Sequence, residues 1–329
     1  MINSTFAAGG TLNTVIHSMM DKSRKKLIMA SIKSNAFMGW AFANNRVETE
    51  DGGANITNPL TIGRNPNVTS MQYYDTLPMV QTDEFTTIGY GWARVAGSVI
   101  MSNQEEDENK GEAVLFKLLK AKLDVLEESI KERFSSYLYA TGAGTDPYGL
   151  GNMIPDDPTT GTIGGLSRAT ETQWRTSAYQ MSGNMDATNI EEVFDDILLD
   201  LKLKDGKPNL ILMGRNIVRT YRQAIRDKLV INLKDSGGSG KTMYDLGFEG
   251  FTHNGITCLY DEDCGVNRSY FINDKFLRLH MLKGVNFKTV DLSSPWTMDA
   301  MGKRTIWQGQ LCLWKAFRTH AVLRNGTTG

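Results

Sequence analysis

The residues with most chemical promise lie at Gly237-Gly-Ser-Gly-Lys-Thr242, preceded by the apolar run Leu229-Val-Ile-Asn-Leu233. A glycine-rich loop of this kind can cradle phosphates on its backbone N–H groups, with Lys241 and Thr242 serving the terminal phosphates and a magnesium ion. The pattern requires its first glycine at position 235, where Asp235 stands. A carboxylate has the wrong sign where phosphate must approach backbone N–H groups. Downstream, Met243-Tyr-Asp-Leu-Gly247 opens a helix poorly, and no apolar strand ends in a magnesium-holding Asp. The stretch reads as a surface loop, with a nucleotide-hydrolysing enzyme relying on Lys241 and Thr242 kept as an alternative.

The other reactive side chains do not assemble into a motif. Cys258 and Cys264 are separated by five residues with only His253 nearby, which fits no zinc knuckle. With Cys312 the thiols make an odd count, so buried thiols in a reducing compartment are expected rather than a disulfide framework. His17, His253, His280 and His320 are scattered, without an i, i+4 pair. Ser102, Ser135 and Ser167 have no nucleophile-elbow context. Asp195 and Asp196 are adjacent on a helical pattern and point apart, as a solvated face would. The acidic run Glu105-Glu-Asp-Glu108 lacks calcium-loop spacing and suits the start of a helix, where negative charge complements the dipole. Arg24-Lys25-Lys26 could touch an anion or a membrane surface, and reads first as a solvated turn. No catalytic, cofactor-binding or metal-ligating residue is expected, and no cofactor.

Bulk properties bound the class. A chain of 329 residues can hold two domains, and 40% hydrophobic with 22% charged residues is ordinary globular composition. The formal net charge of −1 excludes the basic surplus typical of proteins that grip nucleic acid. The N-terminal residues carry no secretory pattern, and no run approaches the roughly 18 apolar residues of a spanning helix. The expectation is a soluble protein that stays where it is made, without a membrane partner.

The elements that must position these residues follow from hydrophobic period. Thr11 to about Ala43 has helical spacing. Residues 46–87 are polar, with Gly52-Gly53, Asn58-Pro59 and Asn65-Pro66. Their short runs Ala54–Thr57, Thr69–Tyr74 and Met79–Thr82 predict a hairpin with arms of about 15 residues, on the order of 50 Å long. A lone two-stranded ribbon is marginal in water, so it needs a surface, and a neighbouring subunit is the candidate. Thr86 to Met101 reads as a strand broken by Gly89, Gly91 and Gly97. From 108 to 140, Leu115, Leu118, Leu119, Leu126, Ile130, Phe134, Tyr137 and Leu138 recur at threes and fours, predicting a helix about 45–50 Å long that stops at Thr141-Gly-Ala-Gly144. Beyond it come helices and strands in alternation. Thr188-Asn-Ile-Glu191 reads as a capping box, Asn209–Met213 as a strand and Arg215–Asp227 as a helix. Strands are also expected at Ile256–Tyr260, Ser269–Leu282 and within Trp307–Val322.

In that order the chain resembles the major capsid proteins of tailed bacteriophages, the HK97-type fold. The likeness rests on the arm, polar hairpin and broken strand leading into the long helix. It rests also on Tyr148-Gly-Leu-Gly-Asn-Met-Ile154 with Ile163-Gly-Gly-Leu-Ser-Arg168 and Trp174-Arg175, and on the closing segment from Gln310 to Leu323. Family members often have two tryptophans before the arginine, whereas Gln173 precedes Trp174 here. The resemblance implies an α+β, HK97-like capsid fold. Its parts would be an N-terminal arm at 1–45, an extended β-hairpin loop at 46–87, a peripheral domain at 86–144 and 285–329 with a spine helix at 108–140, and an axial domain at 145–284. It implies no enzyme but a structural protein of the virion, made in the host bacterial cytoplasm, that self-assembles as hexamers and pentamers into an icosahedral shell around double-stranded DNA. Because the sequence passes from Met1 directly into its arm, a separate scaffold protein is expected beside a portal. A charge near zero suits packaged DNA that is contacted only weakly. An encapsulin-like nanocompartment enclosing an enzyme cargo is the same-fold alternative.

Overall fold

The periodic apolar residues after the acidic run become the buried stripe of one helix. In the computed structural model of the chain it spans Glu112–Tyr139 and buries Leu123, Leu126, Ile130, Phe134 and Leu138, while Glu128, Lys131 and Glu132 face solvent. At about 1.5 Å per residue it is roughly 42 Å long. The structure describes Met29 and residues 35–61, 63, 65, 67–81, 84–102, 104–105, 112–142, 144–181, 185–202, 206–226, 250–292 and 300–325. Most of the expected N-terminal arm and the whole Gly237–Thr242 stretch lie outside these residues, as do the side chains of Leu115 and Leu119.

The first half comprises α1 (Ala36–Ala43), β1 (Val47–Glu50), β2 (Asn55–Thr61), β3 (Phe85–Gly91), β4 (Ala93–Ser102), the long helix α2 (Glu112–Tyr139) and the single turn α3 (Leu150–Met153). Short strands β5 (Thr162–Ile163) and β6 (Leu166–Ser167) lead to β7 (Ser177–Met181), α4 (Ile190–Leu201), β8 (Leu210–Met213) and α5 (Arg215–Arg226). The remainder is strand: β9 (Gly250–His253), β10 (Ile256–Tyr260), β11 (Arg268–Ile272), β12 (Leu277–Leu282), β13 (Lys288–Leu292), β14 (Ala300–Leu313) and β15 (Ala321–Asn325).

Strand β14 is the centre of a five-stranded sheet, with β4 along one edge and β13 and β12 in succession along the other. β1 completes it by pairing parallel to β12. Alternation assigns its faces: Ala93 and Val99 turn inward, whereas Arg94, Ala96, Ser98 and Ile100 are exposed. The inward face meets α2, packing Val99, Leu279, Met281 and Trp307 against Leu126, Ile130 and Phe134. Gly97 reads in sequence as a break in the strand. Here a Cβ on it would come within 2.6 Å of Leu126 Cδ1, so its bare backbone is what lets the helix lie close.

The second sheet has six strands in the order β7-β15-β11-β8-β10-β9. Every residue of β8 is buried, as expected of a central strand covered on both faces. Helices α4 and α5 cover one face through Ile190, Phe194, Ile197, Ile217 and Tyr221; Phe37, Trp40 and Trp174 belong to the cluster on the other. Two strands stitch the halves together: β12 follows the six-stranded sheet in sequence but pairs with β14, while β15 follows β14 but pairs with β11 and β7.

Three sequence expectations are corrected. Thr69–Tyr74 and the described part of Met79–Thr82 are not strands, and the partner of Asn55–Thr61 is Phe85–Gly91. Only the latter supplies alternating residues, Ile88 and Tyr90, that reach the core. The single strand expected over Thr86–Met101 is two, β3 and β4, which change partners at Trp92. Helix α4 does not use a Thr188 capping box; its N-cap is Asn189, and the Thr188 hydroxyl donates to Asp186 at 2.6 Å in a local turn. Of the acidic run expected at the helix start, Glu105 is described: its carboxylate accepts from Lys122 on α2 at 2.6 Å, and that bond lowers the Glu105 pKa.

Candidate assembly surface

The ribbon of β2 and β3 pairs antiparallel from Asn55↔Gly91 to Thr61↔Phe85. Its base is not free. Ile56, Ile88 and Tyr90 are buried in the chain's own core, and the Gly89 N–H donates to Gly164 O at 3.0 Å. The Tyr90 hydroxyl donates to Leu313 O at 2.8 Å and accepts from Leu313 N at 3.3 Å. Burial raises its pKa, so it stays neutral and can do both. The ribbon expected to depend wholly on a neighbour is therefore supported by its own body at its base, where Ile56, Ile88 and Tyr90 reach the core.

That support comes from the glycine-rich segments that follow α2. Gly149 crosses the C-terminal end of the helix so closely that a Cβ would lie 2.2 Å from Tyr137 O and 2.5 Å from Leu138 O. Asn152 then ties the crossing: its Oδ1 accepts from Gly142 N at 2.6 Å and Gly149 N at 3.3 Å, while its Nδ2 donates to Gly142 O at 3.1 Å. Arg168 is buried and donates to the carbonyls of Asn152 and Met153 at 2.9 and 2.8 Å. Desolvation lowers its pKa to about 10, which leaves it charged at neutral pH. Trp174 donates to Ile163 O at 3.0 Å, and Arg175 Nε to Arg168 O at 2.6 Å. The quoted motif residues thus share one task, clamping the helix end and the ribbon base together.

Beyond Thr61 and before Phe85 the ladder ends and the chain opens into a loop. Asn67 holds its two sides, donating to Val80 O at 2.8 Å and accepting from Val80 N at 3.0 Å, so one side chain imitates a backbone partner. Tyr73, Tyr74 and Met79 are 95%, 103% and 91% exposed, and Val68, Val80 and Phe85 are exposed beside them. These large apolar side chains all lie on, or at the foot of, this one loop.

No protein-family model and no curated protein matches the chain. Solved structures do. A chain of the cyanophage A-1(L) capsid asymmetric unit is similar over 86% of this chain and 91% of its own, with TM-score 0.63 and 18% identity. The chain has the fold of phage capsid proteins. A chain from the capsid of a native GTA particle is similar over 88% and 91%, with TM-score 0.55 and 11% identity. One from Mycobacterium phage Bobi covers 87% and 90%, with TM-score 0.51 and 10% identity.

Within this capsid fold the reactive side chains singled out in sequence are spread through separate structural contacts. Cys258, Cys264 and Cys312 are free and buried, and burial raises the pKa of each thiol. His253 is packed against Phe194, bonds the Tyr221 hydroxyl at 2.6 Å and lies 3.1 Å from Asp195. Asp195 therefore secures α4 to the turn at His253 and Asn254, while Asp196 is exposed. Ser135 donates to Asp263, and His320 is fully buried beside Asn273 N. His280 alone among the described histidines meets two carboxylates, Glu48 and Glu50. Sequence reading missed that grouping, since its members lie 230 residues apart. His17, Arg24–Lys26, Lys241 and Thr242 lie outside the described residues. Among the described residues, no helix is long and apolar enough to cross a membrane.

Proposed function

We propose that this chain is the major capsid protein of a tailed phage, copies of which build the icosahedral shell around its double-stranded DNA. The observation that carries the reading is the ribbon tip: three large side chains more than nine-tenths exposed, on a fold otherwise similar to capsid subunits. Exposed apolar surface of that kind gains its stabilisation when a second copy covers it, and repetition around a symmetry axis closes hexamers and pentamers. In this reading residues 1–45 form an arm and 46–87 the extended loop laid over a neighbour. The spine helix, expected at 108–140, corresponds to α2. Residues 86–144 and 285–329 form a peripheral domain and 145–284 an axial one, with β12 and β15 as the strands exchanged between them.

The role is structural rather than catalytic, and the location is the virion, after synthesis in the host bacterial cytoplasm. A separate scaffold protein and a portal belong to the same proposal. The net charge of −1 fits a wall that holds DNA without gripping it. The phage and GTA capsids among the similar structures favour this over a cargo-enclosing compartment. Expression of the full chain followed by sedimentation and electron microscopy tests the reading. Closed shells of uniform size are expected, and a stable monomer at high concentration, with or without a co-expressed scaffold, overturns it.

A further inference from the structure

The inner edge of the five-stranded sheet carries a polar grouping that shell formation does not explain. β1 pairs parallel to β12 with Glu48 opposite His280 and Glu50 opposite Leu282, so alternation brings both carboxylates to the face that holds the imidazole. His280 is 1% exposed, and its Nδ1 lies 3.0 Å from Glu50 Oε1. With the proton on Nδ1 shared with Glu50, the lone pair of Nε2 is left pointing elsewhere. That Nε2 is buried without a hydrogen-bond partner, and Glu48 Oε2 stands 3.5 Å from it. A lone pair facing a carboxylate is repulsive unless a cation sits between them.

From this geometry we propose a divalent-cation site of the zinc or cobalt class, with His280 Nε2 and Glu48 Oε2 as ligands and Glu50 as the positioning carboxylate on Nδ1. Two donors each about 2.0–2.1 Å from one ion at a tetrahedral angle stand about 3.4 Å apart, which matches the observed separation. The order carboxylate–imidazole–metal is the arrangement that fixes a ligating histidine's tautomer. One donor atom from each of Glu48, Glu50 and His280 falls within 4.8 Å of the others. Imidazole with carboxylate selects a borderline ion over calcium or magnesium. Glu48 and Glu50 are half-buried rather than sealed, which leaves a side for entry and for water ligands. Arg278 donates to the other oxygen of Glu48, aiming Oε2 at the imidazole, and its charge makes the hold weaker than in a closed structural site. Cys312 Sγ is not among the donor atoms that fall together here, and it donates to Gln310 O within its own strand. The ion would fasten β1, the strand that leads into the ribbon, to β12 of the body.

Titration of the full-length subunit with cobalt(II) chloride, read by visible absorption and followed by displacement with zinc, tests the site without requiring assembly. Tetrahedral cobalt bands lost on adding zinc are expected, together with a zinc-dependent rise in melting temperature. Glu48→Gln and His280→Asn should each weaken binding at least about tenfold, and Glu50→Gln by about 10–100-fold. Asp51→Asn, which alters an exposed carboxylate paired with Lys283, should leave binding unchanged. If His280→Asn fails to fold, Glu48→Gln decides the matter, because that side chain is partly solvated. Absence of cobalt bands in the wild-type subunit, wild-type affinity retained in both Glu48→Gln and Glu50→Gln, or a melt that responds to pH but not to zinc each overturns the proposal. The last outcome would assign the gap to a proton. None of these outcomes bears on whether the chain forms a shell.

Discussion

Replacing Tyr73, Tyr74 and Met79 together by Ser separates assembly from folding more cleanly than any other change to this chain. The three side chains are 95%, 103% and 91% exposed, so they contribute almost no burial within the subunit. Surface substitutions of this kind alter folding stability by no more than about 0.5 kcal/mol each. If a neighbouring copy covers them, each contributes about 1.5–3 kcal/mol, or roughly 4.5–9 kcal/mol gross for the three. A loss of only about 3 kcal/mol already weakens the contact about a hundredfold. The assay has two arms, a thermal melt of dispersed subunits and a concentration series of assembly followed by sedimentation and electron microscopy. The melt should not move, and the concentration needed for shells should rise by about a hundredfold or more. Normal shells at the wild-type threshold would refute the reasoning, and so would a melt lowered as far as a core truncation lowers it.

Truncating Leu126 to Ala removes a side chain packed between α2 and the five-stranded sheet, and should lower subunit stability by about 2–5 kcal/mol in chemical denaturation. Gly149→Ala forces a Cβ against the Tyr137 and Leu138 carbonyls, which are backbone atoms unable to rotate away. A loss of about 1–3 kcal/mol or more is expected, and an unchanged denaturation midpoint would show that the helix end can shift. His320 is fully buried, and burial lowers its pKa from 6.5 to about 3. Between those values the unfolded chain takes up a proton that the folded one refuses, so stability falls as pH drops, by up to about 1.4 kcal/mol per unit. Asp261, whose pKa burial raises, acts in the opposite sense, so the comparison is with His320→Asn, whose denaturation midpoint should fall less steeply from pH 6 to pH 4.

The long helix was legible because its signal is local: residues three and four apart must share a face whatever the rest of the chain does, and Leu126, Ile130, Phe134 and Leu138 do so. The same holds for α5, β8 and β10, whose bounds fall close to those expected. The hairpin was legible as a projection but not in its pairing, since several short runs compete for one partner and only core contact at Ile88 and Tyr90 selects the true one. The glycine-rich motifs after the helix identified the fold family without revealing their task. That task depends on a carbonyl at Tyr137 meeting a backbone at Gly149.

Composition, period and motif order by themselves determined an α+β chain with a long charged helix, a polar projection and no basic surplus for gripping DNA. They also disfavoured the nucleotide loop through the single residue Asp235. Tertiary structure alone decided that β1 lies beside β12, that Gly97 admits the helix, and that Glu48 and Glu50 meet His280 across 230 residues of chain. The physical reason is that side-chain period is a property of neighbours in sequence. Which strand edges meet depends instead on burying every face of the molecule at once.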